Sequence, residues 1–269
     1  MAFAPAGLIT LTTDFGTADP FAGILSGRIV SHFPGARIID LSHGMARGRP
    51  DLAGFWLAHA WREFPPGTVH LAVVDPGVGT ARGVVLALVE QHALLAPDNG
   101  LLPETLRGCA AVEWLGMDAD LPAHLGLGPL SRTFHGRDLF APVAAALASG
   151  RLAPGDFGAP TRPRDPAPLP QPRHDADGIA GRIVLADHFG NLFTNIDAAR
   201  VTACLQPTVE AAGRNWPLVS TYGDVPPGAP LALLNAFGLL ELAINGDSAA
   251  TLPGLAEGTF VRLRDGLGT

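Results

Sequence analysis

The sequence has few of the features that mark disulfide-rich, metal-binding or membrane-spanning proteins. It contains two cysteines among 269 residues, Cys109 and Cys204, and they form no C-x-x-C pair. A disulfide framework and a cysteine zinc site are therefore excluded. No H-x-x-x-H or H-E-x-x-H spacing occurs, so we expect no catalytic metal. No apolar run approaches the roughly 20 residues that a membrane-spanning helix needs.

Positive charge is also scarce. With 18 basic against 25 acidic residues and a net charge of -7, the chain offers no basic face to nucleic acid or an anionic membrane. The N-terminus has neither a basic segment nor a long apolar stretch, so we expect no signal peptide and a cytoplasmic location. The glycine-rich phosphate motifs are missing after the first strand pattern. The remaining class is a folded chain of one large domain or two ordinary ones.

Strand and helix patterns alternate over residues 1–153. Strands are predicted in GLITLTTDFG, ARIIDLS, TVHLAVVD, RGVVLALVE and HALLAPDNG. Helices are predicted in FAGILSGRIVSHFP, RPDLAGFWLAHAWREFP and DLFAPVAAALASG. Such alternation is typical of an α/β domain, here interpreted as Rossmann-like with a mostly parallel sheet.

The pattern changes over the remaining residues. Residues 154–178 are dense in Pro, Asp and Arg, which excludes a regular helix or central strand and predicts an inter-domain linker or a surface strap. Residues 179–269 contain short apolar runs separated by Gly, Asn and Pro. These runs predict a smaller all-β domain, a barrel or a sandwich, of which we favour the barrel.

The stretch VVDPGVGTARG, residues 73–83, places Asp75 after an apolar run and follows it with a proline and two glycines. One interpretation is a strand end with Asp75 capping a tight turn. The other is a carboxylate held at the mouth of a sheet, where glycines let a ligand approach the backbone. Ligands of α/β sheets bind beyond the carboxyl ends of strands, where Asp14 and Asp98 are also predicted to lie.

Three further motifs allow both a structural and a functional interpretation. Asp14 at a strand end suits a ribose diol, whereas Asp19, just before a predicted helix, suits a helix cap better. His135 precedes a glycine at a predicted helix entrance, as either an ordinary histidine or a site residue. Asp187 and Asn191 surround a Gly-Asn turn and either hold that turn or bind a purine edge.

Six motifs taken together resemble a known family. They are TTDFGTADPF, VVDPGVGTARG, APDNGLL, TFHGRDLFAP, DHFGNLFTNI and NAFGLLELAINGDSAA, and they follow one another over most of the chain. This order is similar to that of the S-adenosyl-L-methionine hydroxide adenosyltransferases, relatives of the fluorinase and chlorinase. The resemblance implies an N-terminal α/β domain, a C-terminal β-barrel and a homotrimer. It also implies that S-adenosylmethionine binds between the N-domain of one subunit and the C-domain of its neighbour.

The resemblance implies catalytic roles for Asp75, Arg82 and His135, which match the water-handling triad of the hydrolase branch. Fluorinases have Tyr where this chain has Asp75 and Thr where it has Val78, so the hydrolase is favoured over a halogenase. The implied substrate-binding residues lie in both domains. They are Asp14, Asp19, Asp75, Asp187, Asn191, Phe193, Tyr222, Ala236, Phe237, Glu241 and Ile244. Ala236 departs from the family, which often has Ser there, so a hydroxyl contact would be lost.

We therefore expect hydrolysis of S-adenosylmethionine by attack of water at C5′, giving adenosine and methionine. A sulfonium is already a good leaving group, so neither a general acid nor a cofactor is needed. Whether Asp75 or His135 accepts the proton stays open at this point. Two alternatives also stay open: a chlorinase-like halogenase, and a non-catalytic sensor of S-adenosylmethionine or adenosine.

Overall fold

The computed structural model describes residues 3–266, which form two compact units with the boundary between Pro168 and Leu169. The first unit is built on a seven-stranded sheet. Its strands are β1 (Leu8–Thr13), β2 (Arg37–Ser42), β3 (Val69–Val73), β4 (Val84–Val89), β5 (His92–Pro97), β6 (Glu113–Met117) and β7 (Gly158–Pro160). Their order in the sheet is β2-β1-β3-β5-β4-β6-β7. The five predicted strands are all present.

The sheet is mixed, so the prediction of a mostly parallel sheet was wrong. The β2/β1, β1/β3 and β3/β5 pairs are parallel, whereas β5/β4, β4/β6 and β6/β7 are antiparallel. The physical reason is the connection between β4 and β5, which consists of Glu90 and Gln91, with φ values of 47° and 69°. Two residues with positive φ make a hairpin turn, and parallel neighbours need a much longer crossover. The Rossmann-like description is accordingly not confirmed.

Helices cover both faces of this sheet. They are α1 (Phe21–His32), α2 (Pro50–Ala58), α3 (Leu101–Thr105), α4 (Leu121–His124) and α5 (Ala141–Ala148), the last preceded by a π-helical turn over Gly136–Phe140. One core packs α1 and α5 against the sheet, and a second packs α2 and α3 against its other face. Burial on both faces explains why the strands are near-continuous apolar runs.

A chain of polar side chains lies buried within this unit. Thr10 Oγ1 lies 2.8 Å from His70 Nδ1, and His70 Nε2 lies 3.1 Å from His92 Nδ1. His70 is fully buried, and desolvation, followed by the charge of His92, lowers the pKa of His70 to about 3. Burial also lowers the pKa of His92. The native unit therefore keeps His70 neutral under conditions where the unfolded chain protonates it.

We expect this pair to make the protein acid-labile. The pKa of His70 in the folded protein lies below its unfolded value of 6.5. Above pH 6.5, His70 therefore does not reduce the free energy of unfolding. This free energy should fall as the pH drops from about 6.5 towards about 3, by up to about 1.4 kcal/mol per pH unit. His70→Gln keeps a donor and an acceptor without a titration, so its stability should vary less with pH. Urea unfolding at a series of pH values measures both slopes, and equal slopes would contradict this origin.

The second unit is a nearly closed antiparallel barrel, as predicted. Its strands are β8 (Arg173–Asp175), β9 (Gly178–Ala186), β10 (Leu192–Asp197), β11 (Pro207–Ala211), β12 (Arg214–Trp216), β13 (Pro230–Leu234), β14 (Leu239–Ile244) and β15 (Phe260–Asp265), with one short helix, α6 (Ala198–Thr202). The order is β12-β11-β15-β9-β10-β14-β13, and β8 pairs with β9. A bridge between Leu218 and Ala232 brings the two ends of this order together.

Residues 154–178 contain only short strands at sheet edges, β7 and β8, besides a single 3₁₀ turn at Pro154–Asp156. Part of the stretch is held on the first unit, where the Arg164 N–H donates to Asp98 Oδ1 at 2.7 Å. Asp165 also lies 3.4 Å from Arg107. The boundaries at 153 and 179 stay a prediction. Within residues 3–266 no helix has the length and apolar character needed to cross a bilayer.

Candidate active site

Acidic side chains converge at one edge of the first sheet. The neighbouring strands β1, β3 and β5 run parallel, so their carboxyl ends meet at the same edge. Asp14 follows β1 directly, Asp98 follows β5, and Asp75 lies two residues beyond β3. The predicted placement of all three carboxylates at strand ends is confirmed.

Asp75, Arg82 and His135 form one hydrogen-bonded cluster at this edge. Arg82 Nε and Nη2 both donate to Asp75 Oδ2, at 2.9 and 2.5 Å. Arg82 Nη2 also lies 2.9 Å from His135 Nδ1. The side chains of Arg82 and Asp75 are only 7% and 5% exposed, so water screens this ion pair weakly. The structure thus brings together the three side chains that the motifs predict to be catalytic.

The second carboxylate oxygen of Asp75 takes no part in these hydrogen bonds. Oδ1 is buried and has no hydrogen-bond partner among the described residues. A buried polar atom without a partner costs free energy, so its retention calls for an explanation. Gly77 lies beside this oxygen, since a Cβ placed on Gly77 would lie 3.7 Å from Oδ1. The glycine turn therefore leaves room beside an unsatisfied acceptor.

His135 is presented by a loop that several contacts hold in place. Asp138 Oδ2 accepts from the Ser131 N–H at 2.9 Å, and Ser131 Oγ accepts from the Phe134 N–H at 3.0 Å. A hydrogen bond from Arg137 holds the pKa of Asp138 well below its usual range, so this carboxylate stays charged. The predicted helix after Asp138 begins earlier, with a π-helical turn from Gly136 that continues into α5.

The two loops of the cluster also fit against each other at a glycine. Gly79 has a φ of 76°, and a Cβ there would lie 2.1 Å from the carbonyl oxygen of Arg132. Only glycine permits both that backbone conformation and that close approach. Gly79 therefore serves to bring the Asp75 turn against the His135 loop.

His135 is neutral in this cluster near neutral pH. Burial is the largest cause that lowers the pKa of His135, followed by the charge of Arg82, and these outweigh the opposing effects of Asp75, Asp138 and the Ser131 main chain. A guanidinium only donates hydrogen bonds, so His135 Nδ1 must accept from Arg82. A neutral ring then carries its single proton on Nε2.

A cavity of about 760 Å³ lies beside the cluster in the first unit. Its lining residues include Gly48, Asp75, Gly77, Arg82, Asp98 and Arg164. Asp14 is bound to one of these lining residues, because Asp14 Oδ2 accepts from the Gly48 N–H at 2.9 Å. Asp19 is exposed and does not cap α1, whose N-cap is Pro20 without a side-chain hydrogen bond, so the predicted capping role was wrong.

In the second unit, Glu241 lies at the centre of a polar cluster. It is 2% exposed, and Tyr222 Oη donates to Glu241 Oε1 at 2.7 Å while Asn235 Nδ2 donates to Oε2 at 3.1 Å. Burial raises the pKa of Glu241, and the nearby Asp187 raises it further. Burial and the bond to Glu241 likewise raise the pKa of the Tyr222 phenol. Asn235 was not among the predicted site residues, although it opens the motif NAFGLLELAINGDSAA.

Asp187 and Asn191 hold the turn between β9 and β10. Asp187 Oδ1 accepts from the N–H groups of Phe189 and Asn191, at 2.9 and 2.8 Å. Asn191 Nδ2 donates to Asp187 Oδ2 at 3.1 Å. The structural interpretation of this motif is therefore correct. A role in binding is compatible with it, because Asn191, Tyr222 and Ile244 line one cavity of about 550 Å³.

The remaining predicted residues of this unit lie at and near the β13–β14 hairpin. The rings of Phe193 and Phe237 are 6.0 Å apart between centroids. Phe193 is buried, whereas Phe237 is 44% exposed at the tip of the hairpin, next to the exposed Ala236. The second unit thus brings its predicted residues into one region.

No group of three or more His, Cys, Asp or Glu side chains suited to a metal ion occurs within residues 3–266. A buried carboxylate, guanidinium and imidazole beside a cavity, at the strand ends of an α/β sheet, is the arrangement of an enzyme active site. The fold and site therefore define a two-unit α/β and β-barrel enzyme.

Comparison with known proteins identifies the family. The profile described as the SAM hydroxide adenosyltransferase N-terminal domain matches residues 9–158, and the C-terminal domain profile matches residues 181–262. The chain belongs to the SAM hydroxide adenosyltransferase family. The resemblance inferred from the six motifs is thereby confirmed.

Individual relatives agree with this assignment. The (R)-S-adenosyl-L-methionine hydrolase of Salinispora tropica is 38% identical over 278 residues, covering 98% of this chain and 100% of that protein. A fluorinase of Actinoplanes sp. is more distant, at 26% identity, covering 88% of this chain and 91% of its own. The crystal structure of an uncharacterized conserved protein from Thermotoga maritima superposes with a TM-score of 0.86 at 28% identity, covering 95% and 99% of the two chains.

Proposed function

We propose that this protein is an enzyme that hydrolyses S-adenosyl-L-methionine to adenosine and L-methionine. The observation that carries the proposal is the buried Asp75–Arg82–His135 cluster beside the 760 Å³ cavity, in a chain 38% identical to a hydrolase of that substrate. The water oxygen attacks C5′ of the adenosyl group as the C5′–S bond breaks. The bonding electrons pass to sulfur, which becomes the neutral thioether of methionine, and the water loses one proton.

Asp75 is the proton acceptor in this proposal. His135 Nδ1 already accepts from Arg82, and the proton of the neutral ring occupies Nε2, so the ring has no lone pair left for a water proton. Asp75 Oδ2 receives two hydrogen bonds from Arg82, but Oδ1 has no partner among the described residues. Asp75 lines the cavity, and its unpaired carboxylate oxygen is the acceptor that this step requires.

Arg82 and His135 then act as the support of that base. The guanidinium fixes the Asp75 carboxylate through two hydrogen bonds. Its positive charge also stabilises the negative charge that the water oxygen gains as Asp75 takes the proton. His135 holds the guanidinium in place from the other side. Positioning of the water in line with the C5′–S bond supplies several kcal/mol, about 7 to 11 in well-oriented intramolecular reactions.

The substrate contacts are proposed from the two site regions. Asp14 binds the ribose hydroxyls, with Asp19 near it, and the ribose role also predicted for Asp75 passes to Asp14 because Asp75 serves the water. In the second unit, Asn191 binds adenine, Tyr222 stacks on it, and Asp187 binds the methionine ammonium. The other proposed contacts are Phe193, Ala236, Phe237, Glu241 and Ile244. Burial of Glu241 supports the set, as does the cavity that Asn191, Tyr222 and Ile244 line together.

The working unit is proposed to be a homotrimer in which each substrate binds residues of two subunits. The support is the family assignment, together with the separation of the proposed residues into two units. No cofactor is proposed, because the sulfonium leaves without further activation and Asp75 takes the proton.

The substrate epimer is part of the proposal. The relative is named for (R)-S-adenosyl-L-methionine, and "L" already specifies the amino-acid carbon. The prefix must therefore describe the other variable centre, the sulfonium sulfur. We propose that this protein prefers the R epimer at sulfur.

The test is incubation with each purified sulfonium epimer in chloride-free buffer, followed by chromatography. We expect adenosine and methionine in equal amounts, faster from the R epimer, and unchanged rates after chelation. Chloride should not alter the product, which distinguishes a halogenase, since a halogenase would form 5′-chloro-5′-deoxyadenosine. Binding of either epimer without turnover would identify the sensor alternative and overturn the proposal.

A further inference from the structure

His43 contacts Thr13, the residue that precedes the proposed ribose ligand Asp14, and has no part in the proposed chemistry. It is 6% exposed, and its Nδ1 lies 2.7 Å from Thr13 Oγ1. Thr13 Oγ1 accepts from the Phe15 N–H at 3.2 Å, which leaves the hydroxyl proton free to point at His43 Nδ1. On the other side, His43 Nε2 lies 3.2 Å from Asp40 Oδ1, too poorly aligned for a hydrogen bond.

These contacts lie on both sides of Asp14 in the chain. The residue stands between Thr13 and Phe15, which share the Thr13 hydroxyl, and Asp14 Oδ2 accepts from the Gly48 N–H at 2.9 Å. Two main-chain bonds join the same segments: the Gly16 N–H donates to the His43 carbonyl at 2.7 Å, and the Met45 N–H donates to the Thr13 carbonyl at 3.2 Å. The loop from His43 to Gly48 is therefore fastened to the end of β1 on both sides of the carboxylate.

The same loop extends to the turn that carries Asp75. Gly48 lines the 760 Å³ cavity together with Asp75, and a Cβ on Gly48 would lie 3.8 Å from the Pro76 Cβ. The loop thus binds Asp14 at the end of β1 and lies close to the turn that carries Asp75 after β3. A buried, hydrogen-bonded histidine at the start of such a loop is suited to hold the loop in place.

We propose that His43 is a positioning residue for the sugar end of the substrate, acting through the Thr13 hydroxyl on the carboxylate of Asp14. The inference rests on the proposed function, because it requires an adenosyl group at this site. It predicts that loss of the His43–Thr13 contact weakens recognition of the ribose hydroxyls and leaves recognition of the base unchanged.

The experiment compares adenosine with 2′-deoxyadenosine and 3′-deoxyadenosine by calorimetry on the full-length protein. Hydrogen bonds to a charged group correspond to about 10- to 100-fold in affinity, so the wild type should prefer adenosine by such a factor. His43→Ala should weaken adenosine about 10-fold and the deoxynucleosides much less. His43→Asn, whose amide reaches the place of Nδ1, should restore most of the preference, and Asp40→Asn should change little.

A double-mutant cycle decides whether His43 acts through Asp14. If it does, His43→Ala/Asp14→Ala should bind adenosine no more weakly than Asp14→Ala alone. Thr13→Val removes the hydroxyl without removing the histidine and should reproduce His43→Ala, which keeps the test valid if the alanine variant does not fold. The role of His43, but not the proposed function, would be overturned by either of two results. One is an equal loss of affinity for all three nucleosides in His43→Ala, and the other is a loss in the double variant equal to the product of the two single losses. Failure of the wild type to prefer adenosine over the deoxynucleosides would overturn the ribose role on which the inference depends, whereas failure to cleave S-adenosylmethionine would overturn the proposed function itself.

Discussion

Asp75→Asn is expected to lower kcat by about 10³, within the range of about 10² to 10⁴ that a general base contributes. The asparagine keeps the shape of the side chain and can still accept from Arg82 through its amide oxygen. The atom in place of Oδ1 becomes an NH₂ group, which cannot accept a proton from water. Single-turnover kinetics with S-adenosylmethionine measure the loss, and calorimetry should show adenosine affinity within about threefold of the wild type.

A matched control for this variant exists in the same cavity. Asp98 also follows a strand and lines the cavity, but its Oδ1 is bound by the Arg164 N–H. Asp98→Asn should therefore change kcat only a few-fold. A normal rate in Asp75→Asn would contradict the assignment of the base and return the role to His135.

The second large effect is expected for Arg82→Gln. Loss of one electrostatic stabiliser typically lowers kcat by about 10² to 10³. The same change leaves the Asp75 carboxylate, whose side chain is 5% exposed, without its cation. Breaking a buried pair in this way costs about 3 to 5 kcal/mol of the free energy of unfolding. Arg82→Gln should therefore lose both activity and stability, as measured by kcat and by urea unfolding.

The double variant Asp75→Asn/Arg82→Gln separates these two effects. With both charges gone, most of the stability should return, because a neutral pair leaves no buried charge unpaired. Activity should not return, although its loss should fall short of the product of the single losses, since both residues act on one water. A double variant as unstable as Arg82→Gln would contradict the ion-pair account.

The apolar runs of the sequence were sufficient to predict five of the seven strands of the first unit, but not β6 and β7 and not the strand directions. The hairpin between β4 and β5 turns on Glu90 and Gln91, a pair that lacks the Asn-Gly or Gly signature of such turns. The antiparallel half of the sheet was therefore missed. The capping role predicted for Asp19 was wrong because a cap depends on the residue at which the helix begins. The N-cap of α1 is Pro20, one residue later.

The site was predictable where its residues lie within motifs and unpredictable where contacts join distant segments. Asp75 and Arg82 are seven residues apart, whereas the His135 contact spans 53 positions and was found through the family motif. The link from His43 to Thr13 joins residues 30 positions apart and depends on tertiary packing. It has no local spacing that sequence patterns could detect.

Isotope transfer tests whether water attacks C5′ of the adenosyl group. The enzyme is given S-adenosylmethionine in buffer made with ¹⁸O-labelled water, and both products are examined by mass spectrometry. We expect one ¹⁸O atom in adenosine, at the 5′ hydroxyl, and none incorporated into methionine. Unlabelled adenosine, or a 5′-substituted nucleoside in place of adenosine, would contradict it.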